Sequence, residues 1–259
     1  MKNGLAAVTA MLLMAAAPAG AEDVIDVQRE RVLIPVAFYG TVHGAHGSIW
    51  RMELAGYNDS ELYVKVAPHG TCGIPCAPFP AGAKRSFTLD MAGPGYPGDG
   101  KFYYVDRPHH RSVHFELRAR DISRETSTWG TEIPVVREHE VREGPVHLLD
   151  VPALDGFRLA LRIYDLGPEL NLSSQALVRV FDFSGGELLL ELVVPLSTGG
   201  VSPKYVPAQA RLEDFGSELG SFRGRVRFEI TPVGNATRLW GFMSITHNET
   251  QHVTVVTPQ

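Results

Sequence analysis

Residues 50–58 read WRMELAGYN, and residues 157–165 read FRLALRIYD. In the first stretch Trp50, Met52 and Leu54 alternate with Arg51 and Glu53. Successive side chains of a strand point to opposite faces, so this period of two describes a sheet with one face in a core and the other in water. The second stretch repeats the layout, aromatic on aromatic, arginine on arginine, tyrosine on tyrosine. Outward from these two, VHFELR (113–118) and RVRFEI (225–230) alternate in the same way. Clusters of Gly, Pro, Asn and Asp separate the runs at short intervals, which predicts an all-β chain built from antiparallel sandwiches. A turn or two of helix is expected in LEDFGSELG, residues 212–220.

Four segments recur in the same order. WRMELAGYN from 50 matches FRLALRIYD from 157, and FPAGAKRSFTLD from 79 matches VPAQARLEDF from 206. GKFYYVDRP from 100 matches GRVRFEITP from 224, and VHFELRARD from 113 matches WGFMSITHN from 240. By subtraction of these starting positions, the second copy holds about 20 extra residues after its second strand, placed in GPELNLSSQALVRVFDFSGGELLLELVVPL. The chain therefore divides into a leader (1–21), an N-terminal segment (22–31), one sandwich (32–137), a linker (138–144) and a second sandwich (145–259). The linker, in EHEVREGP, is charged and poor in apolar residues. Proteolysis there is expected to release two folded fragments.

The order of an IP pair, a GxxGSxWR turn and strand followed by YN, a PAG-type turn, and a closing strand running into WGTEIPVV resembles tandem Ig-like β-sandwich repeats of secreted bacterial proteins. VPAQARLEDF through RLWGFMSITHNETQHVTVVTP is similar to the C-terminal form of that repeat. The resemblance covers nearly the whole chain after the leader and implies two tandem Ig-like antiparallel sandwiches in an extracellular setting. It carries over no catalytic residue, and the CGIPC segment is not part of it.

The beginning of the chain fits export. Met1 and Lys2 precede the apolar run LAAVTAMLLMAAA, and Ala19-Gly20-Ala21 is a small-residue cleavage pattern, so cleavage is expected after Ala21. A membrane-spanning helix needs about 20 apolar residues, and Pro18 interrupts this run; no transmembrane anchor is expected. The expected location is secreted or periplasmic. A formal net charge of −5 with scattered Lys and Arg argues against a nucleic-acid partner. At 44% hydrophobic residues the chain can bury a core, which excludes disorder.

Little in the sequence carries chemistry. Cys72 and Cys76 are the two cysteines, and Gly73 and Pro75 predict a turn between them that can bring them to disulfide distance. An oxidising compartment favours a disulfide over a metal site or a redox pair. His43, His46 and His109 would form a metal site only if their loops met at one end of the sandwich; exposed loop histidines is the reading taken. HEVRE, from His139, lacks the second histidine of a zinc-protease helix. No nucleophile elbow or phosphate loop is present, so no catalytic residue and no cofactor are assigned. Sandwich domains work through their loops, and the unusual loops lie in the first copy. Tyr96, His109 and His110 are its candidate ligand-binding residues. The function expected is a non-enzymatic structural or binding module for an extracellular protein or glycan, with a hydrolase sited at the domain junction or a loop end as the alternative.

Overall fold

The computed structural model describes residues 29–62, 64, 66–68, 85–89, 97–124, 129–167 and 174–259. The leader, Cys72, Cys76 and Tyr96 lie outside these residues.

Within them the regular structure is nearly all strand, as the alternation predicts, with short 3₁₀ turns between strands. The first half contains β1 (Arg29–Ala37), β2 (Thr41–His43), β3 (Ile49–Asn58), β4 (Val66–Pro68), β5 (Arg85–Leu89), β6 (Asp99–Asp106), β7 (Val113–Asp121), β8 (Thr131–Ile133) and β9 (Val136–Arg137). The second contains β10 (Val146–Ala153), β11 (Phe157–Asp165), β12 (Ser174–Asp182), β13 (Leu188–Leu196), β14 (Ala208–Leu212), β15 (Gly224–Gly234), β16 (Leu239–His247) and β17 (Val253–Val256). The expected helical turn is the 3₁₀ segment Phe215–Leu219, which buries Phe215 and Leu219.

Every described strand pairing is antiparallel, and the two halves share one strand order. In the first half one sheet runs β4-β6-β1-β9; in the other β3 lies between β7 and β5, with β8 outside β7 and β2 beside the start of β3. In the second half the sheets run β13-β12-β15-β10 and β14-β11-β16-β17. Thus β6, β1, β3, β5, β7 and β8 correspond to β15, β10, β11, β14, β16 and β17. The additional residues of the second half supply the outer strand β13 and the segment leading to β14.

Two of the sequence matches select the right strands in the wrong register. Asn58 pairs with Arg85 and Asp165 with Ala208, so Arg85 corresponds to Ala208 rather than to Leu212. Asn58 also pairs with Val113 and Asp165 with Leu239, so Val113 corresponds to Leu239 rather than to Trp240. The second slip is one residue, which in a strand exchanges the two faces. Leu239, Met243 and Ile245 accordingly fill the second core, whereas Trp240 and Phe242 belong to the first.

That exchange reveals how the halves meet. β1 is buried from Glu30 to Ala37 without alternation, because both faces of its sheet are covered. One face packs on β3 and β7 through residues such as Val32, Leu54 and Leu117. The other receives Tyr164, Leu166, Trp240 and Phe242 from the second half. Tyr164 donates its hydroxyl to the Pro35 carbonyl, and its ring occupies the space beside Gly100, where a Cβ would come within 2.5 Å of it. Tyr57, the matching tyrosine of the first half, instead stacks on exposed His114.

β4 covers β6 only at Tyr103–Val105, and the stretch of β6 before it is closed by the second half. The Phe102 amide donates to the Tyr205 carbonyl at 2.9 Å, the Gly100 amide to Gln209 Oε1 at 2.7 Å and the Tyr104 hydroxyl to the Lys204 carbonyl at 2.9 Å. The two amide contacts satisfy edge groups that would otherwise pair with another chain. Burial pushes the Tyr104 and Tyr164 hydroxyls up to about 12, so both remain protonated donors.

The linker region is part of the seam. Glu138 opens a 3₁₀ turn, Glu138–Glu140, and accepts from Arg31 at 2.9 Å and Arg238 at 3.3 Å, one arginine from each half. Arg31 also donates to the Leu166 and Gly167 carbonyls at 3.0 Å each. Val141 is buried. The outcome expected from cutting at 138–145 changes with these contacts: fragments separated there would expose the β1–β6 face and deprive Arg31 of the Leu166 and Gly167 carbonyls.

Candidate functional site

Where β1, β2, β3, β7 and β8 meet β11, β16 and β17, the seam opens into a cleft of about 590 Å³. That volume is in the range of ligand pockets, which gather at domain junctions. Val36, Phe38, Trp50, Met52 and Ile133 form its wall from the first half, and Phe242, Ser244, Thr246, Val253 and Val255 form the opposing wall. Alternation produces the second wall: Leu159, Leu161 and Ile163 of β11 turn into their own core, leaving Arg158, Ala160 and Arg162 on the opposite face.

The loop between β2 and β3 is held rigidly at the cleft mouth. The Trp50 indole Nε1 donates to Ser48 Oγ at 3.0 Å, and Ser48 donates to the Ala45 carbonyl at 2.8 Å. Ser48 is fully buried. A side chain at position 44 would collide with Ser48 and the Trp50 ring, so glycine is required there. Ordering this loop before binding removes a cost that a mobile loop would impose on its ligand.

Two arginines give the cleft its polar character. Arg158 donates to Gln251 Oε1 at 2.6 Å, while its buried Nε has no partner among the described residues. Arg162 donates to the Gly98 carbonyl at 2.6 Å, across the seam. Of the nearby carboxylates, Glu213 is paired with Arg211 at 3.0 Å. An acyl-transfer nucleophile needs a base within hydrogen-bond reach. The Ser244 hydroxyl donates to the Ala160 carbonyl at 3.4 Å instead.

The histidines read from the sequence are divided between two ends of the molecule. His43 lies on β2 opposite Ile49, and His46 sits in the adjoining loop with φ +53°; both are exposed. His109 and His110 lie in the 3₁₀ turn Arg107–Ser112, just before Val113, which pairs with the far end of β3 at Asn58. From Ile49 to Asn58 a strand rises roughly 30 Å, so His43 and His46 do not meet His109 at one metal. His43 contributes to the cleft, whereas His110 lies beside Glu30 and His139 at the other end of β1. His114 is exposed, as its place in the alternation requires, with Nε2 3.2 Å from Asp59. The cleft itself has no motif: Trp50, Arg158 and Phe242 come from three strands, and only the one-residue register of β16 places Phe242 there.

No protein-family profile, curated protein or solved structure matches the chain. Among the described residues no helix is long and apolar enough to cross a membrane.

Proposed function

We propose that this chain is an exported, non-enzymatic binding module that takes a segment of an extracellular protein or glycan into the cleft between its two halves. The carrying observation is the cleft itself, an apolar groove with a fixed tryptophan at its mouth and, in its wall, a buried Arg158 Nε that has no partner among the described residues. Trp50 supplies a flat apolar surface for a sugar ring or a side chain. Arg158 supplies a charge-assisted donor for a carboxylate or carbonyl oxygen. The apolar run LAAVTAMLLMAAA with its small-residue cleavage pattern supports export, as does the resemblance to secreted sandwich repeats, which carries over no catalytic residue.

The test is to screen the purified chain against cell-envelope glycans and peptides by tryptophan fluorescence, then titrate hits on variants. Trp50→Ala and Arg158→Gln should each weaken binding about tenfold or more, in line with the 1–3 kcal/mol or more carried by a central aromatic or arginine contact. Binding unaffected by both, but lost when residues 107–112 are replaced, would move the site to the other end of the molecule. Turnover of a bound glycan or peptide would favour a hydrolase at the junction.

A further inference from the structure

Glu30, His110 and His139 come from β1, from the turn after β6 and from the turn joining the halves, and they converge on a small cavity of about 190 Å³. One donor atom from each lies within 4.8 Å of the others. Glu30 is almost completely buried, an unusual place for a carboxylate unless it is paired or coordinates a metal. Its Oε2 is held by Arg137 Nη1 at 3.0 Å, and its Oε1 contacts His139 Nδ1. The two imidazole rings stand at 74° with centroids 5.5 Å apart, converging rather than stacking. His110 Nδ1 faces the Arg107 carbonyl, so Nδ1–H donates there and the lone pair of Nε2 is left available. A carbonyl behind an imidazole is the usual device that fixes the tautomer of a metal ligand.

We infer that Glu30, His110 and His139 bind one first-row transition-metal dication of the zinc class. Two imidazoles and one carboxylate suit zinc, nickel or copper, whereas magnesium and calcium prefer all-oxygen shells. A tetrahedral ion with ligand bonds near 2.0–2.1 Å separates its donors by about 3.3 Å, a spacing the half-exposed His139 ring reaches by a small rotation. The cavity leaves room for a water as fourth ligand. Arg137 occupies only Oε2, and Oε1, in contact with His139 Nδ1, turns to the ion once that ring rotates away. Arg107 and Arg238 also line the cavity, with Glu138 paired to Arg238. Their positive charge makes the site weaker than a closed four-ligand structural zinc site. A bound ion would tie the turn bearing His139, next to Glu138, to the first half and so brace the seam.

The experiment uses the full exported chain stripped of metal with a chelator, then titrated separately with zinc, cobalt(II) and magnesium. Zinc at one ion per chain should raise the melting temperature, and magnesium should not. His110→Ala and His139→Ala should each weaken zinc roughly tenfold or more, and the double variant should lose both stoichiometric binding and the thermal shift. These two side chains are partly exposed, so the apo variants should melt close to the parent, which separates ligation from folding. The cobalt form should lack thiolate charge-transfer absorption, which excludes Cys72 and Cys76 as the ligands. Zinc bound equally by the double variant, thiolate bands with cobalt, or no zinc binding by the parent chain would overturn the assignment; in the last case Glu30, His139 and Arg137 form an ion-pair network only.

Discussion

Replacing Glu138 with alanine is expected to lower the unfolding free energy by about 3–5 kcal/mol, the cost of removing one partner of a buried ion pair. Arg31 is only 7% exposed and is aimed at Glu138 and at two carbonyls of the other half. Without the carboxylate its charge is buried against dipoles alone. Denaturant titration reads the change directly. Its pH dependence is a second signature. Burial by itself would raise the Glu138 carboxyl, but the hydrogen bonds and charge of Arg31, joined by Arg238, outweigh it and hold the group below the ordinary value of 4.5. A carboxyl depressed in the folded state contributes its stability above its unfolded value and loses it as pH falls through the folded one. The parent chain should therefore lose stability as pH drops below about 4.5, and Glu138→Ala should flatten that limb. Asp121, which is also depressed, leaves a residual slope. Equal acid limbs in parent and variant would contradict this role.

Tyr164→Ala should be of similar size, about 3–5 kcal/mol for deleting a fully buried aromatic ring, and its effect should fall on the half that does not contain it. Tyr164 lies on β11, yet it packs in the first core, against Trp240 and beside Gly100, with its hydroxyl on Pro35. Hydrogen exchange should show lost protection along β1 and β6 in addition to β11. Tyr164→Phe removes one hydrogen bond and should cost about 1 kcal/mol. Lost protection confined to β10–β17 would show that the ring serves its own sandwich.

The strands and their doubled order were legible because most of them keep one buried face. β15 alternates from Val226 to Ile230, and β11 does so until Ile163. Alternation registers only one covered face, so it was silent on a sheet covered twice. RERVLIPVA carries Glu30 and Arg31 into full burial, where charge in the sequence reads as surface. The same blindness hid the seam residues. Tyr164 and Trp240 look like ordinary strand aromatics until the register of β16 turns the second toward the first half. His139 was visible only as a failed protease motif, because its partner Glu30 lies 109 positions earlier. A buried charge next to a long apolar run, as Glu30-Arg31 stands before VLIPVA, was the one local signal that this edge of the sequence is not solvent-facing.

The most direct test of the interdependence of the halves is an amide correlation NMR spectrum of residues 22–144 produced alone. With the β1–β6 face stripped of Tyr164, Leu166, Trp240 and Phe242, and with Phe102 and Gly100 amides unpaired on the β6 edge, the fragment should give the narrow, broadened spectrum of an unfolded or aggregating chain. A well-dispersed spectrum matching the same residues of the intact protein would show that the first sandwich folds by itself and that the seam, with the cleft it forms, is a docking of two independent domains.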